Sequence, residues 1–130
     1  MRFTSKLKST GICWLMLLLF PTACHQSRQS LEPGALTPRL AVLDMKGDPV
    51  RLEPFQGKVV VLTFWQSGCN ACASEMLEME MVYQKYQPGN MVILGINMGD
   101  SREFVEKFRN KLTLYFPLVL DSLLITTEKY

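Results

Sequence analysis

Two cysteines three positions apart are the residues of this sequence best suited to chemistry. Cys69 and Cys72 come shortly after an apolar run at 59–65, at a point where a helix is expected to begin. A thiol at a helix N-terminus faces unpaired amide hydrogens and the positive end of the helix dipole, and both favour the thiolate. A second thiol one turn further on the same face can close a small ring with the first. The pair can therefore exchange electrons as a dithiol and a disulfide.

Two structural alternatives compete with this interpretation. A zinc site needs about four Cys or His ligands, but the folded part of the sequence offers only these two cysteines, and the sole histidine, His25, lies upstream of it. Two inert core cysteines would not need this spacing at a junction between strand and helix. The pattern favours redox exchange over both alternatives, and we expect neither a metal nor a cofactor.

The elements that must position the two thiols follow from the apolar pattern. Continuous β-branched and aromatic runs at 59–65 and 91–97 predict two strands covered on both faces in a parallel sheet. Between them, residues 72–87 predict a helix. Strand, helix and strand in this order imply a right-handed parallel crossover and an α/β fold. The apolar side chains expected on the inward face of the helix are Met76, Met79, Tyr83 and Tyr86.

Weaker patterns predict three further elements. A turn at 45–49 between apolar residues 40–44 and 50–52 predicts an N-terminal β-hairpin. Asp100 and Ser101 can cap a helix that continues to about residue 111, with Phe104, Val105 and Phe108 facing inward. Residues 115–120 predict a third strand.

The N-terminal 24 residues have the pattern of an export signal. Three basic residues precede an apolar run at 11–20, which is much shorter than the roughly 20 residues that cross a bilayer as a helix. Small residues then precede Cys24, as in bacterial lipoprotein signals, so this resemblance implies lipidation of Cys24. An uncleaved signal anchor and a secreted form with a spare Cys24 thiol are the alternatives. Residues 25–38 are polar and predict a linker, and residues 39–130 form the domain.

Composition and charge exclude several classes of protein. Hydrophobic residues make up 48% of the 130 residues and charged residues 20%, which argues against a disordered chain. The net charge is +2, but residues 1–31 hold four bases and no acid, so ten bases face twelve acids in residues 32–130. No run concentrates Lys and Arg, and a nucleic-acid partner is therefore not expected.

Residues 37–121 resemble the TlpA-like (ResA-like) group of thioredoxin-fold thiol-disulfide oxidoreductases. The resemblance implies a thioredoxin-like fold, an extracytoplasmic location on the membrane, protein thiols and disulfides as substrates, and a membrane electron donor. It also implies Cys69 as the nucleophile and Cys72 as the resolving thiol. The matching stretches are Pro38 with Leu43 and Gly47, residues 57–65, Cys69 to Cys72 with Glu75, residues 94–97 and residues 116–121.

Two residues near the cysteines are candidates for supporting roles. Glu75 lies one helical turn beyond Cys72 and matches an active-site glutamate of some relatives. If partly buried, its carboxylate would disfavour the thiolate and could pass protons; otherwise it is an ordinary first-turn glutamate stabilised by the helix dipole. Trp65 either packs beside the thiols or is a plain strand aromatic.

The resemblance also predicts what this sequence lacks. Relatives continue past the position of Asp121 with a cis-proline loop, an antiparallel hairpin and a closing helix, and none of these is expected in the residues up to Tyr130. An incomplete domain would expose a strand edge and apolar surface, so we expect marginal stability or self-association. The alternative function is therefore a non-catalytic exported binding or assembly module, or a decayed gene product.

Overall fold

A computed structural model describes residues 31–86 and 89–130 of the chain. The predicted export signal, Cys24 and the first part of the predicted linker lie outside these residues. The rest of the linker, from residue 31 onward, is mostly exposed.

A three-stranded parallel sheet organises the described residues. Its strands are β1 (Val59–Trp65), β2 (Met91–Asn97) and β3 (Leu118–Leu120), and they lie in the order β1-β2-β3. Helix α1 (Asn70–Tyr86) connects the first two strands and helix α2 (Arg102–Leu112) connects the last two. A 3-10 turn, Glu53–Phe55, precedes β1, and a short helix α3 (Ile125–Lys129) follows β3.

Both connecting helices pack against the same face of the sheet. Trp65 of β1, Met76 of α1 and Val105 of α2 belong to one buried cluster with Phe116 and Leu118. Side chains alternate across a strand, so the intervening residues build a second, smaller cluster on the opposite face. That cluster contains Val42, Ile96 and Val119, with Leu62 and Phe64 packed against it.

The two predicted long strands have the predicted bounds but different environments. Residues 93–97 of the central strand β2 are all buried, with Ile93 in the cluster on one face and Ile96 in the cluster on the other. In β1 only Thr63 and Trp65 are buried, and Val59 is 64% exposed. The prediction of a strand covered on both faces is therefore confirmed for β2 and only partly met by β1, whose Trp65 lies in one cluster while Leu62 and Phe64 pack against the other. β1 is also an edge strand among the described residues.

The predicted N-terminal hairpin is reduced to isolated bridges. Leu43 pairs antiparallel with Pro49 across a tight turn and also with Leu120 of β3. The turn is held by Asp44, whose amide donates to the Asp48 carbonyl and whose carboxylate accepts the amide of Asp48. The segment around Leu43 therefore lies beside β3 and pairs with it through a single bridge instead of a continuous ladder.

The third strand is shorter than the predicted 115–120. Pro117 has no amide hydrogen to donate to a neighbouring strand, and the amides of Tyr115 and Phe116 donate to a carboxylate oxygen of Glu80 on α1, at 2.7 and 3.3 Å. Regular pairing is left to Leu118–Leu120.

Both predicted helices are present, with differences in which side chains they bury. Helix α1 begins two residues before the predicted start, and Ser101 caps α2 as predicted, its hydroxyl accepting the amide of Phe104 at 3.2 Å. Met76 and Val105 are buried, whereas Tyr86 is 51% and Phe104 is 37% exposed. Tyr86 is the last residue of α1, and Phe104 stacks on Phe108, which packs against the core cluster.

Helix α3 ties the beginning of the domain to its last strand. The buried Thr126 accepts the amide of Ala41 at 2.8 Å, and the Tyr130 hydroxyl donates to the Pro38 carbonyl at 2.5 Å. Asp121, fully buried at the end of β3, accepts the amide and hydroxyl of Thr127. The segment around Val42 is thereby held against the second face of the sheet.

Candidate active site

The two cysteines lie where the chain passes from β1 into α1. Cys69 immediately precedes the helix and Cys72 is its third residue. Their sulfur atoms form a disulfide, with the Cα atoms 5.2 Å apart. The Cys72 amide donates to the Cys69 sulfur at 3.1 Å, so Cys69 occupies the position of an N-cap residue. The predicted placement of a thiol at the helix N-terminus is confirmed.

The segment that delivers Cys69 to this position is exposed. Residues 66–68 leave the sheet after Trp65, and Gly68 has φ +79°, a left-handed conformation that glycine adopts without steric cost. Both cysteines are half-buried. The disulfide thus lies at the rim of the domain, within reach of another molecule.

A polar network holds this segment to the end of β2. One carboxylate oxygen of Asp100 accepts the Ser67 amide at 2.7 Å and the other accepts the Ser67 hydroxyl at 2.5 Å. The Asn97 side chain donates to Asp100 at 2.8 Å and accepts the Asp100 amide at 2.9 Å. Asn97 is the fully buried last residue of β2, so Ser67 is linked to the interior of the sheet.

The network also fixes the charge of Asp100. Partial burial alone would raise the pKa of its carboxyl, but hydrogen bonds from Asn97 and Ser67 outweigh burial and lower the pKa below its ordinary value of 3.8. Asp100 is therefore a carboxylate at neutral pH.

Trp65 is a core residue that shares its cluster with one of the thiols. Its side chain is 1% exposed and stacks on Phe108, with ring centroids 4.4 Å apart. Cys72 packs against the buried cluster to which Trp65 belongs. The Trp65 indole nitrogen is buried and has no hydrogen-bond partner among the described residues.

The environment of Glu75 differs from the one expected for a carboxylate that acts on the thiols. It lies in the second turn of α1, one turn beyond Cys72, but its side chain is exposed and not partly buried. The partial burial on which its expected effect on the thiols depends is absent, and its catalytic role stays a prediction.

Sequence reasoning missed Ser67 and Asn97 and saw Asp100 only as a possible helix cap. Asp100 and Ser67 are 33 positions apart, and no periodicity connects them. The available signal was topological: polar residues that follow neighbouring parallel strands meet at the carboxyl edge of the sheet, where sites of α/β proteins lie.

The described residues contain neither a metal-binding cluster nor a membrane-crossing helix. Residues 31–86 and 89–130 hold no group of three or more His, Cys, Asp or Glu side chains that could bind a metal ion. Within the same residues, no helix has the length and apolar character needed to cross a membrane.

Comparison with known proteins identifies the family. Residues 33–130 match the AhpC/TSA family. The chain belongs to this family. Relatives include the thiol-disulfide oxidoreductase ResA of Geobacillus kaustophilus, 38% identical over 94 residues, which cover 72% of this chain. ResA of Bacillus subtilis is 29% identical over 111 residues, which cover 85% of this chain. The predicted resemblance to ResA-like proteins is confirmed.

Solved structures confirm the thioredoxin-like α/β fold. The thioredoxin domain of a thiol-disulfide oxidoreductase from Bacteroides vulgatus superimposes with a TM-score of 0.68 at 29% identity, covering 78% of this chain and 74% of that domain. The chain spans about half the length of the curated relatives it matches, 54% for the Geobacillus protein and 62% for the Bacillus protein.

Proposed function

We propose that this protein is a thiol-disulfide oxidoreductase that reduces disulfides of other proteins outside the cytoplasm, with Cys69 as nucleophile and Cys72 as resolving thiol. The observation that carries the proposal is the Cys69–Cys72 disulfide at the N-terminus of α1, with the Cys72 amide directed at the Cys69 sulfur. The names of the ResA relatives support the same chemistry.

The reaction begins with the reduced pair. The Cys69 thiolate attacks one sulfur of a substrate disulfide, a Cys69–substrate bond forms, the substrate disulfide breaks, and the leaving thiolate takes a proton from water. Cys72 then loses its proton and attacks the Cys69 sulfur. The Cys69–Cys72 bond forms, the second substrate thiolate leaves and is protonated, and two electrons have passed to the substrate.

The oxidised pair must then be reduced before another cycle. We assign this step to a dithiol donor at the membrane, whose own thiols are oxidised to a disulfide as the Cys69–Cys72 bond is broken. Amide hydrogens at the start of α1 favour the thiolate at Cys69 in the reduced protein, and the thiolate is the form that attacks the next substrate disulfide.

Glu75 is proposed as the group that accepts the Cys72 proton during resolution. It lies one turn further along α1 and is open to solvent, so it can exchange that proton with water. Glu75→Gln should alter the pH dependence of the resolving step, measured as decay of a Cys69 mixed disulfide. An unchanged pH profile would leave Glu75 a surface residue of the helix.

Residues 1–24 are proposed to export the protein and to attach it to the membrane through a lipid on Cys24, with residues 25–38 as the linker. Two or more acyl chains give a firm anchor. Cys24→Ala should therefore abolish acyl labelling and release the protein from the membrane fraction or stop its processing. Mature wild-type protein that is unmodified at Cys24 and wholly soluble would contradict the lipid anchor.

Reduction of insulin by the full chain in the presence of a dithiol donor tests the activity. We expect the wild-type chain to accelerate precipitation of the insulin B chain, and Cys69→Ser to reduce the rate to that of the donor alone. Ser101→Ala is the matched control, because the Ser101 hydroxyl accepts the Phe104 amide at the start of α2 and bonds to neither cysteine; it should retain the wild-type rate. Equal rates for wild type and Cys69→Ser would refute the proposal.

A further inference from the structure

We propose that Asp100 is a positioning residue for the redox pair, which holds Cys69 at the N-terminus of α1 by fixing Ser67. This inference rests on the proposed function, because it concerns how the nucleophilic sulfur of that function is kept in place.

Two of the three hydrogen bonds that the Asp100 carboxylate accepts come from Ser67. Both of its oxygens accept a hydrogen bond from Ser67, one from the amide and one from the hydroxyl, and the amide-bonded oxygen also accepts the Asn97 side chain. A bidentate contact fixes both the distance and the orientation of the segment it binds. Ser67 is thus held by its backbone as well as by its side chain.

The anchor of the network is buried, whereas the segment it holds is exposed. Asn97 is fully buried, belongs to the central strand, and its carbonyl accepts the amide of Asp121 at 2.9 Å. Ser67 and Gly68, in contrast, are exposed, and a Cβ atom at Gly68 would meet no atom within 4 Å apart from its chain neighbours. Packing therefore does little to orient Gly68, and the contact between Ser67 and Asp100 restrains the chain two residues before Cys69.

The position of Cys69 decides what the helix can do for its sulfur. The Cys72 amide reaches the sulfur at 3.1 Å only while Cys69 lies at the cap position. Favourable interactions at a helix N-terminus fall off within about one turn. If residues 66–68 are released, the reduced Cys69 sulfur samples orientations without this amide, and its thiolate is less favoured.

Asp100 also carries a negative charge. That charge alone would disfavour the Cys69 thiolate, whereas the positioning of Cys69 favours it. A carboxylate near a thiol disfavours the thiolate, so removing the charge should make the thiolate form at lower pH. Positioning and direct charge repulsion therefore predict shifts of opposite sign for Asp100→Asn. This opposition makes the proposal testable with substitutions that keep the fold.

The experiment measures the rate of Cys69 alkylation by iodoacetamide in the full reduced chain. A Cys72→Ser background leaves one thiol at the site and keeps the backbone amide of residue 72. Rates are followed by mass spectrometry of the peptide that contains Cys69, between about pH 4 and about pH 9, a range that covers ordinary and strongly activated cysteines.

We expect Asp100→Asn and Ser67→Ala each to move the midpoint of the pH profile to higher pH. On the acidic side of the midpoint, alkylation should slow by about threefold or more as the thiolate fraction falls. Ser67→Thr, which keeps the hydroxyl, should restore the wild-type profile. Ser101→Ala is the matched control: it removes a serine hydroxyl bond next to Asp100 that does not reach Ser67, and should leave the profile unchanged.

Two results would overturn the proposal. A shift to lower pH in Asp100→Asn with no shift in Ser67→Ala would assign Asp100 a direct charge effect. Unmoved midpoints in both variants, with only a lower melting temperature, would assign it a structural role. Alkylation needs no protein substrate, so the proposed function can fail in the insulin assay while these shifts are observed, and the shifts can be absent while insulin is reduced.

Discussion

At the residue scale, Gly95 shows how closely the elements behind the disulfide are packed. A Cβ atom at this position of β2 would lie 2.6 Å from a methyl carbon of Leu118 and 3.0 Å from the ring of Phe116. Carbon atoms that are not bonded pack at about 3.5–4.0 Å, so the neighbouring side chains must move if a methyl group is added. The side chain of Met76 on α1, at 3.3 Å, approaches the same point.

We therefore predict that Gly95→Ala lowers the free energy of unfolding by about 1–3 kcal/mol, as overpacking of a core does. Urea denaturation of the full chain measures it. Because the nearest atom belongs to Leu118, the same substitution in a Leu118→Ala background should cost less, which a double-mutant cycle detects. Equal costs in the two backgrounds would show that the crowding does not involve Leu118.

At the element scale, sequence patterns predicted the two long strands with their bounds but overestimated the third strand and the N-terminal hairpin. The runs at 59–65 and 91–97 form strands with those bounds, because their β-branched and aromatic composition favours a strand and each pairs with the other along its whole length. The predicted strand at 115–120 is present only as Leu118–Leu120, because the Tyr115 amide donates to the Glu80 carboxylate and not to a neighbouring strand. The predicted hairpin is reduced to isolated bridges, because Leu43 also pairs with Leu120, a contact between residues distant in sequence.

The candidate site divides in the same way. The cysteine pair and its helix N-terminus were predictable because strand, spacing and helix are all local in sequence. The hydrogen bonds between Ser67 and Asp100 were not predictable, because they depend on which strands become neighbours in the sheet. The exposure of Glu75 was equally inaccessible, since one-turn spacing defines a helix face but not what covers that face.

The free edge of β1 leads to a prediction about hydrogen exchange. The Val59 amide donates to Asn90 and the Trp65 carbonyl accepts from Met98, so the odd-numbered residues of β1 direct their backbone groups toward β2. The even-numbered residues, such as Leu62, direct theirs away, and no described strand pairs with them.

Amides of the even-numbered residues of β1 should accordingly exchange at least about tenfold faster than those of Val61 and Thr63, because exposed backbone groups open at low free-energy cost. Exchange followed by NMR on the full chain resolves single residues. The amides of residues 95–97, where β2 pairs with both β1 and β3, serve as the internal reference. Equal protection of even and odd positions would show that another segment or a second copy pairs with this edge.

At the scale of the whole molecule, the network at Asp100 should make stability depend on pH. The pKa of Asp100 in the folded protein is lowered from 3.8, so its ionised form stabilises the fold above that value. This contribution is lost as the pH falls through the lower folded pKa. The pKa of Asp44 is also lowered, first by the hydrogen bond from the Asp48 amide, so wild-type protein loses both contributions in acid.

Melting temperatures between about pH 2 and about pH 6, the range in which carboxylates titrate, measure this dependence. Asp100→Asn should be less stable than wild type above pH 3.8 and should lose less stability on acidification. Asp44→Asn is the control that keeps the Asp100 contribution. Parallel curves for wild type and Asp100→Asn would mean that the carboxylate does not stabilise the fold.

The central claim, that Cys69 attacks and Cys72 resolves, is tested most directly by trapping the covalent intermediate. The full chain carrying Cys72→Ser, reduced and then mixed with a disulfide-containing protein, cannot complete the reaction and should accumulate a mixed disulfide that peptide mapping places on Cys69. The chain carrying Cys69→Ser should form much less adduct, because Cys72 lies inside the first turn of α1 and packs against the core. Equal adducts on the two variants, or none on Cys69, would contradict the mechanism.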